Sequence, residues 1–253
     1  MFHRRHLWQL VALVLGSLAL SAAAAEITVY SGGAARSALD VVATEYQKAS
    51  GCTVTIEYAP VGTLMRRLSD GGKPDVVVLT VDVMPEAEAN RWVNPGTAVA
   101  LGGIGVGVAV RDGALLPDIS TPEALKQTLL AAKSITYIDP AKGTSGKHFA
   151  QVLERLGIAD AMKDKTRLGE AGYVVEPVAR GEVELGIQQI TEILPVKGVR
   201  LVGPLPAPLQ KITVYAAAPT RYAREADAVR DFLAYLGGEQ ARAVFLGKGF
   251  SAP

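Results

Sequence analysis

The stretch from Ile135 to His148 carries a short apolar run (Ile135, Tyr137, Ile138) through Asp139-Pro140 into Gly143-Thr144-Ser145-Gly146, where an amphipathic run begins. This is the pattern of a strand, a tight turn and a helix start. The first N–H groups of a helix lack intrahelical partners and carry partial positive charge, so glycines and hydroxyls there form a small anion site. Three other stretches repeat the pattern. Ile27 to Tyr30 leads into Ser31-Gly32-Gly33, Val54 to Tyr58 into Pro60-Val61-Gly62-Thr63, and Val183 to Ile187 into Gln188-Gln189-Ile190-Thr191. The candidate ligand contacts are therefore Ser31, Gly32, Gly33, Gly62, Thr63, Thr144, Ser145, Gly146, Gln188 and Gln189. Side chains alternate along a strand, so only one of the two glutamines is expected to face the ligand. Gly143 to His148 lacks the Lys-Ser/Thr ending of a phosphate-binding P-loop, and no Gly-x-Ser-x-Gly elbow marks a serine hydrolase.

Residues 1–25 limit what other chemistry is available. Arg4 and Arg5 precede an apolar stretch from Leu7 to Leu20, and Ala23 to Ala25 supply small residues for cleavage, as in a secretory leader. No cysteine lies near the cleavage point, so a periplasmic protein without a lipid anchor is expected. The leader takes two of 26 Lys and Arg and none of 25 Asp and Glu, which leaves 24 against 25 and a net charge of −1. That balance argues against nucleic acid or an anionic membrane as partner. His3 and His6 leave with the leader, so His148 and Cys52 are the last of their kinds and a Cys/His zinc site is excluded by count. No metal and no cofactor are expected.

The elements that must position the four turns alternate between strand and helix. Strands are expected at Glu26 to Tyr30, Val54 to Tyr58, Val76 to Leu79, Gly103 to Val110, Ile135 to Ile138, Val183 to Ile187, Val199 to Val202 and Lys211 to Ala218. Val76-Val77-Val78-Leu79 is continuously apolar, as in a parallel sheet covered on both faces. Helices fill the gaps: Leu39, Val42, Ala43 and Tyr46 share one face of Ala34 to Ser50, Thr63 caps the helix carrying Leu64 and Leu68, and Ser120 or Thr121 caps Pro122 to Ala132. Alternation of this kind makes parallel, doubly wound sheets, with ligands beyond the carboxyl ends of the strands. The expected α/β architecture has two parallel-sheet lobes joined by two crossings: 26–107 in the first lobe, 108–210 in the second, and 211–253 returning to the first. The turns then converge on a cleft that closes by a hinge.

Several stretches carry a resemblance: Tyr30-Ser31-Gly32-Gly33-Ala34, Lys73-Pro74-Asp75-Val76-Val77, Gly105 to Arg111, Leu153-Glu154-Arg155-Leu156-Gly157-Ile158, Ala179 to Glu184 and, above all, Gly186 to Val196. With these the chain resembles periplasmic solute-binding proteins of the molybdate-binding type, the receptors of ABC importers. The resemblance implies the type II periplasmic binding protein fold, a small anionic ligand held by backbone N–H groups and hydroxyls, a permease partner in the inner membrane and a monomer. It makes Ser31 the first-loop hydroxyl and sets Thr63 near the second-loop serine. The second loop here has a single hydroxyl, and the Gln188-Gln189 pair suits a carboxylate at least as well as an oxyanion. The branch also resembles aconitate isomerases, which move a double bond within a tricarboxylate. Such a reaction needs a base, for which Lys147, His148 and Glu192 are the candidates.

Overall fold

The computed structural model describes residues 25–252, so the leader reading lies, apart from Ala25, outside the described residues. The strands in chain order are β1 Glu26–Gly32, β2 Thr53–Ala59, β3 Val76–Thr80, β4 Val99–Ile104, β5 Val106–Arg111, β6 Ile135–Ile138, β7 Thr166–Gly169, β8 Leu185–Gln189, β9 Val199–Pro204 and β10 Thr213–Pro219. The α-helices are α1 Arg36–Ser50, α2 Val61–Ser69, α3 Met84–Ala89, α4 Pro122–Ala131, α5 Thr144–Arg155, α6 Ala159–Met162, α7 Glu176–Ala179, α8 Ile190–Ile193, α9 Ala226–Gly237 and α10 Glu239–Gly247. A 3₁₀ turn, Gly33–Ala35, leads directly into α1.

Two five-stranded sheets result, in the orders β2-β1-β3-β10-β4 and β7-β6-β8-β5-β9. Each is the centre of one lobe with its own apolar core. Ile27, Val29, Leu39, Val76 to Leu79 and Phe232 belong to the first core, and Val108, Leu125, Ile135, Phe149 and Ile187 to the second. β1 runs parallel to β2 and β3, and β6 parallel to β7 and β8, but β10 and β5 run antiparallel to their neighbours. The sheets are therefore mixed, where uniform parallel pairing was expected. These two strands arrive straight from the opposite lobe, without a crossover helix. They enter at the cleft end, where the parallel strands finish, and must run against them: Val106 at the start of β5 pairs with Gln189 at the end of β8.

The stretch Gly103 to Val110, read from sequence as one strand, is divided at Gly105: β4 pairs with β10 in the first sheet, and β5 with β8 and β9 in the second. The return runs through 205–212. The two passages are tied to each other, because the Gln210 amide accepts from Val106 N at 2.9 Å and donates to Val106 O at 2.8 Å. Leu205 N also donates to Val106 O at 3.0 Å, and Ile190 N to Gly105 O at 3.0 Å.

Other local differences have clear causes. Pro60, with extended backbone, begins α2, and Thr63 N donates to Pro60 O at 2.8 Å, so Thr63 lies inside the first turn and is not the cap. Thr121 does cap α4, its Oγ1 accepting from Ala124 N at 3.1 Å. β8 starts two residues later than expected and takes in both glutamines, and β7 is a short edge strand whose half-exposed residues give no periodic signal. Among the described residues no helix is long and apolar enough to cross a membrane.

Candidate functional site

The carboxyl ends of β1, β2, β6 and β8 face one another across the gap between the lobes, and the turns that follow them line a cavity of about 70 Å³. From the first lobe come Gly33, Ala34 and Arg36 at the start of α1, Tyr58 to Val61 after β2, and Tyr215 on β10. The second lobe supplies Gly143, Thr144 and Ser145 at the start of α5, the loop residue Tyr173, both glutamines, and Glu192 on α8. No side chain caps α5, so its first-turn N–H groups are left for a ligand.

Six of the residues singled out in the sequence thus meet at the cavity: Gly33, Thr144, Ser145, Gln188, Gln189 and Glu192. The others are placed elsewhere. Ser31 is fully buried, with its Oγ donating to Gly32 O at 3.1 Å, and Gly32 ends β1 beneath the cavity lining. Thr63 Oγ1 accepts from Arg66 Nη2 at 3.2 Å on the outer side of α2. Gly62 instead joins the lobes, its N donating to Lys142 O at 3.0 Å; a Cβ there would sit 2.9 Å from that carbonyl. Gly146 is a packing residue, since a Cβ would meet Ile138 O at 1.9 Å. Lys147 is exposed, and His148 Nε2 is engaged with Leu209 O at 2.8 Å; neither lines the cavity. Burial lowers the His148 pKa against the opposing pull of that carbonyl, with Lys211 and Arg155 adding to the fall.

Both glutamines line the cavity, which corrects the expectation that alternation would turn one away. Gln189 is the last residue of β8, where the chain bends into α8, and Gln188 reaches sideways to donate from Nε2 to Gly172 O at 2.8 Å. Gln189 Nε2 lies 3.4 Å from both Thr144 Oγ1 and Tyr215 Oη. The Oε1 atoms of both are buried without a partner among the described residues, two acceptors at the cleft wall. Leaving such groups unpaired costs about 1–3 kcal/mol each, which a ligand with donors recovers.

Four cleft side chains escape sequence reading: Arg36, Tyr58, Tyr173 and Tyr215. The Arg36 guanidinium lies 4.3 Å from the Tyr58 ring centroid and 5.9 Å from that of Tyr173, one ring from each lobe. Tyr58 is fixed in turn by donating to Asp40 Oδ1 at 2.6 Å. A signal for Arg36 was present, because it follows the Ser31-Gly32-Gly33 turn by one helical turn; the tyrosines carry none. Glu192 faces this cation from the other lobe. Burial pushes its carboxyl up to about 8, a rise that the neighbouring Gln188 amide and Arg36 only partly offset. Burial also raises Tyr58, Tyr173 and Tyr215 above the ordinary phenol range, and the charge of Glu192 adds to the rise at Tyr215.

A family model described as "Bacterial extracellular solute-binding protein" matches residues 27–251. An aconitate isomerase of a Pseudomonas species is 35% identical over 249 residues, covering 95% of this chain and 94% of that protein. The molybdate-binding protein ModA of Haemophilus influenzae is 30% identical over 250 residues, covering 95% and 96%. The solved structure of the Azotobacter vinelandii periplasmic molybdate-binding protein superimposes with a TM-score of 0.77 at 20% identity, covering 90% of this chain and 99% of that one, and so shares the two-lobed periplasmic binding protein fold. With the matched length and the cleft between two lobes in agreement, this chain belongs to the bacterial extracellular solute-binding protein family.

Proposed function

We propose that this protein is a periplasmic receptor that captures a small organic polycarboxylate in its interlobe cleft and delivers it to an ABC permease of the inner membrane. The observation that carries the ligand class is Arg36, held between Tyr58 and Tyr173 and opposed by hydroxyls and amides of the second lobe. A planar guanidinium pairs with a carboxylate through two parallel hydrogen bonds, and stacking on aromatic rings fixes its plane in advance. Thr144, Ser145 and the N–H groups at the start of α5 supply donors for a second carboxylate. The unpaired glutamine oxygens suit a hydroxyl or a protonated acid group on the same ligand. A bare tetrahedral oxyanion has no hydroxyl to offer those acceptors. Export through the leader at 1–25, the absence of a lipid anchor and action as a monomer complete the reading.

Titration calorimetry of the mature protein against molybdate, tungstate, sulfate, malate, citrate and the aconitates tests it. A polycarboxylate is expected to bind with a Kd of about 1 µM, about −8 kcal/mol, and Arg36→Ala is expected to weaken it by about 30-fold or more. Binding of molybdate or tungstate alone would replace this ligand class.

A second reading, an isomerase that shifts a double bond within a tricarboxylate, is favoured by Glu192, an acid–base group inside the cleft, together with the similarity to the Pseudomonas enzyme. Incubation with cis- and trans-aconitate followed by chromatography decides it, and lack of interconversion removes it.

A further inference from the structure

Resting on that second reading, we infer that Glu192 is the single group that takes the proton from a cleft-bound unsaturated polycarboxylate and returns it two carbons away, so that Glu192 is the catalytic base and acid of an allylic isomerisation. The argument begins with what else the cleft offers. Of the side chains lining it, Arg36 is a cation, Tyr58, Tyr173 and Tyr215 are held as neutral phenols, and Gln188, Gln189, Thr144 and Ser145 do not exchange protons near neutrality. Lys147 and His148 lie outside the lining. Glu192 alone can both accept and give up a proton at the bound ligand.

Its placement fits the task. Glu192 Oε1 lies against Gly33, 2.8 Å from where a Cβ would stand, at the start of the helical segment that also carries Arg36. Arg36 and Glu192 line the same cavity from opposite lobes, so a ligand whose carboxylate pairs with Arg36 presents its neighbouring carbons to Glu192. The groups facing Glu192 are the Gln188 amide from β8, Arg36 from α1, Tyr173 from the loop ahead of α7 and Tyr215 from β10.

The step balances without any co-reactant. Glu192 carboxylate forms an O–H bond with the methylene proton as that C–H bond breaks. The electron pair spreads through the adjacent double bond into a carboxylate, giving a dienolate whose added charge is met by Arg36 and by the donors at the start of α5. The new carboxylic acid then gives its proton to the far allylic carbon: that C–H bond forms, the double bond has moved by one position, and Glu192 is again a carboxylate. A carboxylate displaced upward by burial is a stronger base than one in water.

The test uses the mature protein with cis- and trans-aconitate as probes, measuring turnover and, by calorimetry, binding. Glu192→Gln keeps the shape of the side chain and is expected to bind the probes within about threefold of wild type while losing about 10³-fold in kcat. Glu192→Asp is expected to recover part of the activity. In the wild type, kcat/KM is expected to rise between about pH 7 and 9 as the carboxyl ionises, a limb absent from the residual activity of Glu192→Gln. A wild type that turns over, with Glu192→Gln within about threefold or keeping that limb, overturns the role of Glu192 and leaves the isomerase reading standing. A wild type that binds a polycarboxylate but converts neither isomer overturns both and leaves the receptor.

Discussion

At Glu192 a carboxyl sits among protein groups that solvate its charge poorly, and the consequence reaches beyond the ligand. Its pKa is raised from 4.5 to about 8 on folding, so the folded chain holds this proton more tightly than the unfolded chain. The stability it contributes is complete below about pH 4.5 and is lost as pH rises through about 8. Wild type is expected to melt at a lower temperature at pH 9 than at pH 6, and Glu192→Gln to lose most of that difference, about 2–4 kcal/mol at the alkaline end. Thermal melts of both proteins across that range check the sign. How much of the site is legible in the chain is also decided at this scale. Gly33 follows directly on β1, the glutamines end β8, and Thr144 and Ser145 start the helix after the β6 turn, so each is marked by a strand end or helix start that is visible in sequence. Tyr58, Tyr173 and Tyr215 reach the cavity through tertiary packing that leaves no local trace, and Ser31 had the expected neighbours but spends its hydroxyl on Gly32 O.

Among the elements, β3 is the one its sequence describes best. Val76 to Leu79 are fully buried, as a continuous apolar run requires. The residue before them carries an ionic anchor that the run itself does not announce. Asp75, with no exposed surface, accepts from Thr28 N at 2.8 Å and Thr28 Oγ1 at 2.6 Å on β1, and from Arg224 N at 2.9 Å and Nη2 at 3.1 Å ahead of α9. Burial alone would raise its pKa, but the bonds from Arg224 and Thr28 outweigh it and hold the carboxyl at about 2. Its contribution is thus present above about pH 4 and is lost as pH falls through about 2. Asp75→Ala is expected to destabilise the first lobe by about 2–3 kcal/mol, read as a lower urea midpoint at pH 7 with cleft ligand binding retained by the folded fraction. The directions of β5 and β10 were hidden for a different reason. Periodicity reports which face of a strand is buried and is silent about whether the chain travels up or down its sheet.

At the scale of the molecule, the lobes touch on both sides of the cavity. Gly62 N bonds to Lys142 O near one side, and Thr191 Oγ1 donates to Ala34 O at 2.8 Å on the other. Gly62→Val would drive a branched side chain into the Lys142 carbonyl and stop the approach short. It is expected to weaken ligand binding by about tenfold or more, about 1.4 kcal/mol, with the melting temperature of the ligand-free protein little changed. Small-angle scattering with ligand present is expected to give a larger radius of gyration than for wild type. The two crossings were foreseeable from alternation and chain length, but their mutual attachment was not, since it depends on one side chain. Because Gln210 holds Val106 by both ends of its amide, sliding one connecting strip past the other would break both bonds. The strips are therefore expected to act as the spine of a book, with opening as a swing about one line, sideways shear resisted, and occupancy at the inner margin turned into one displacement of the outer edges.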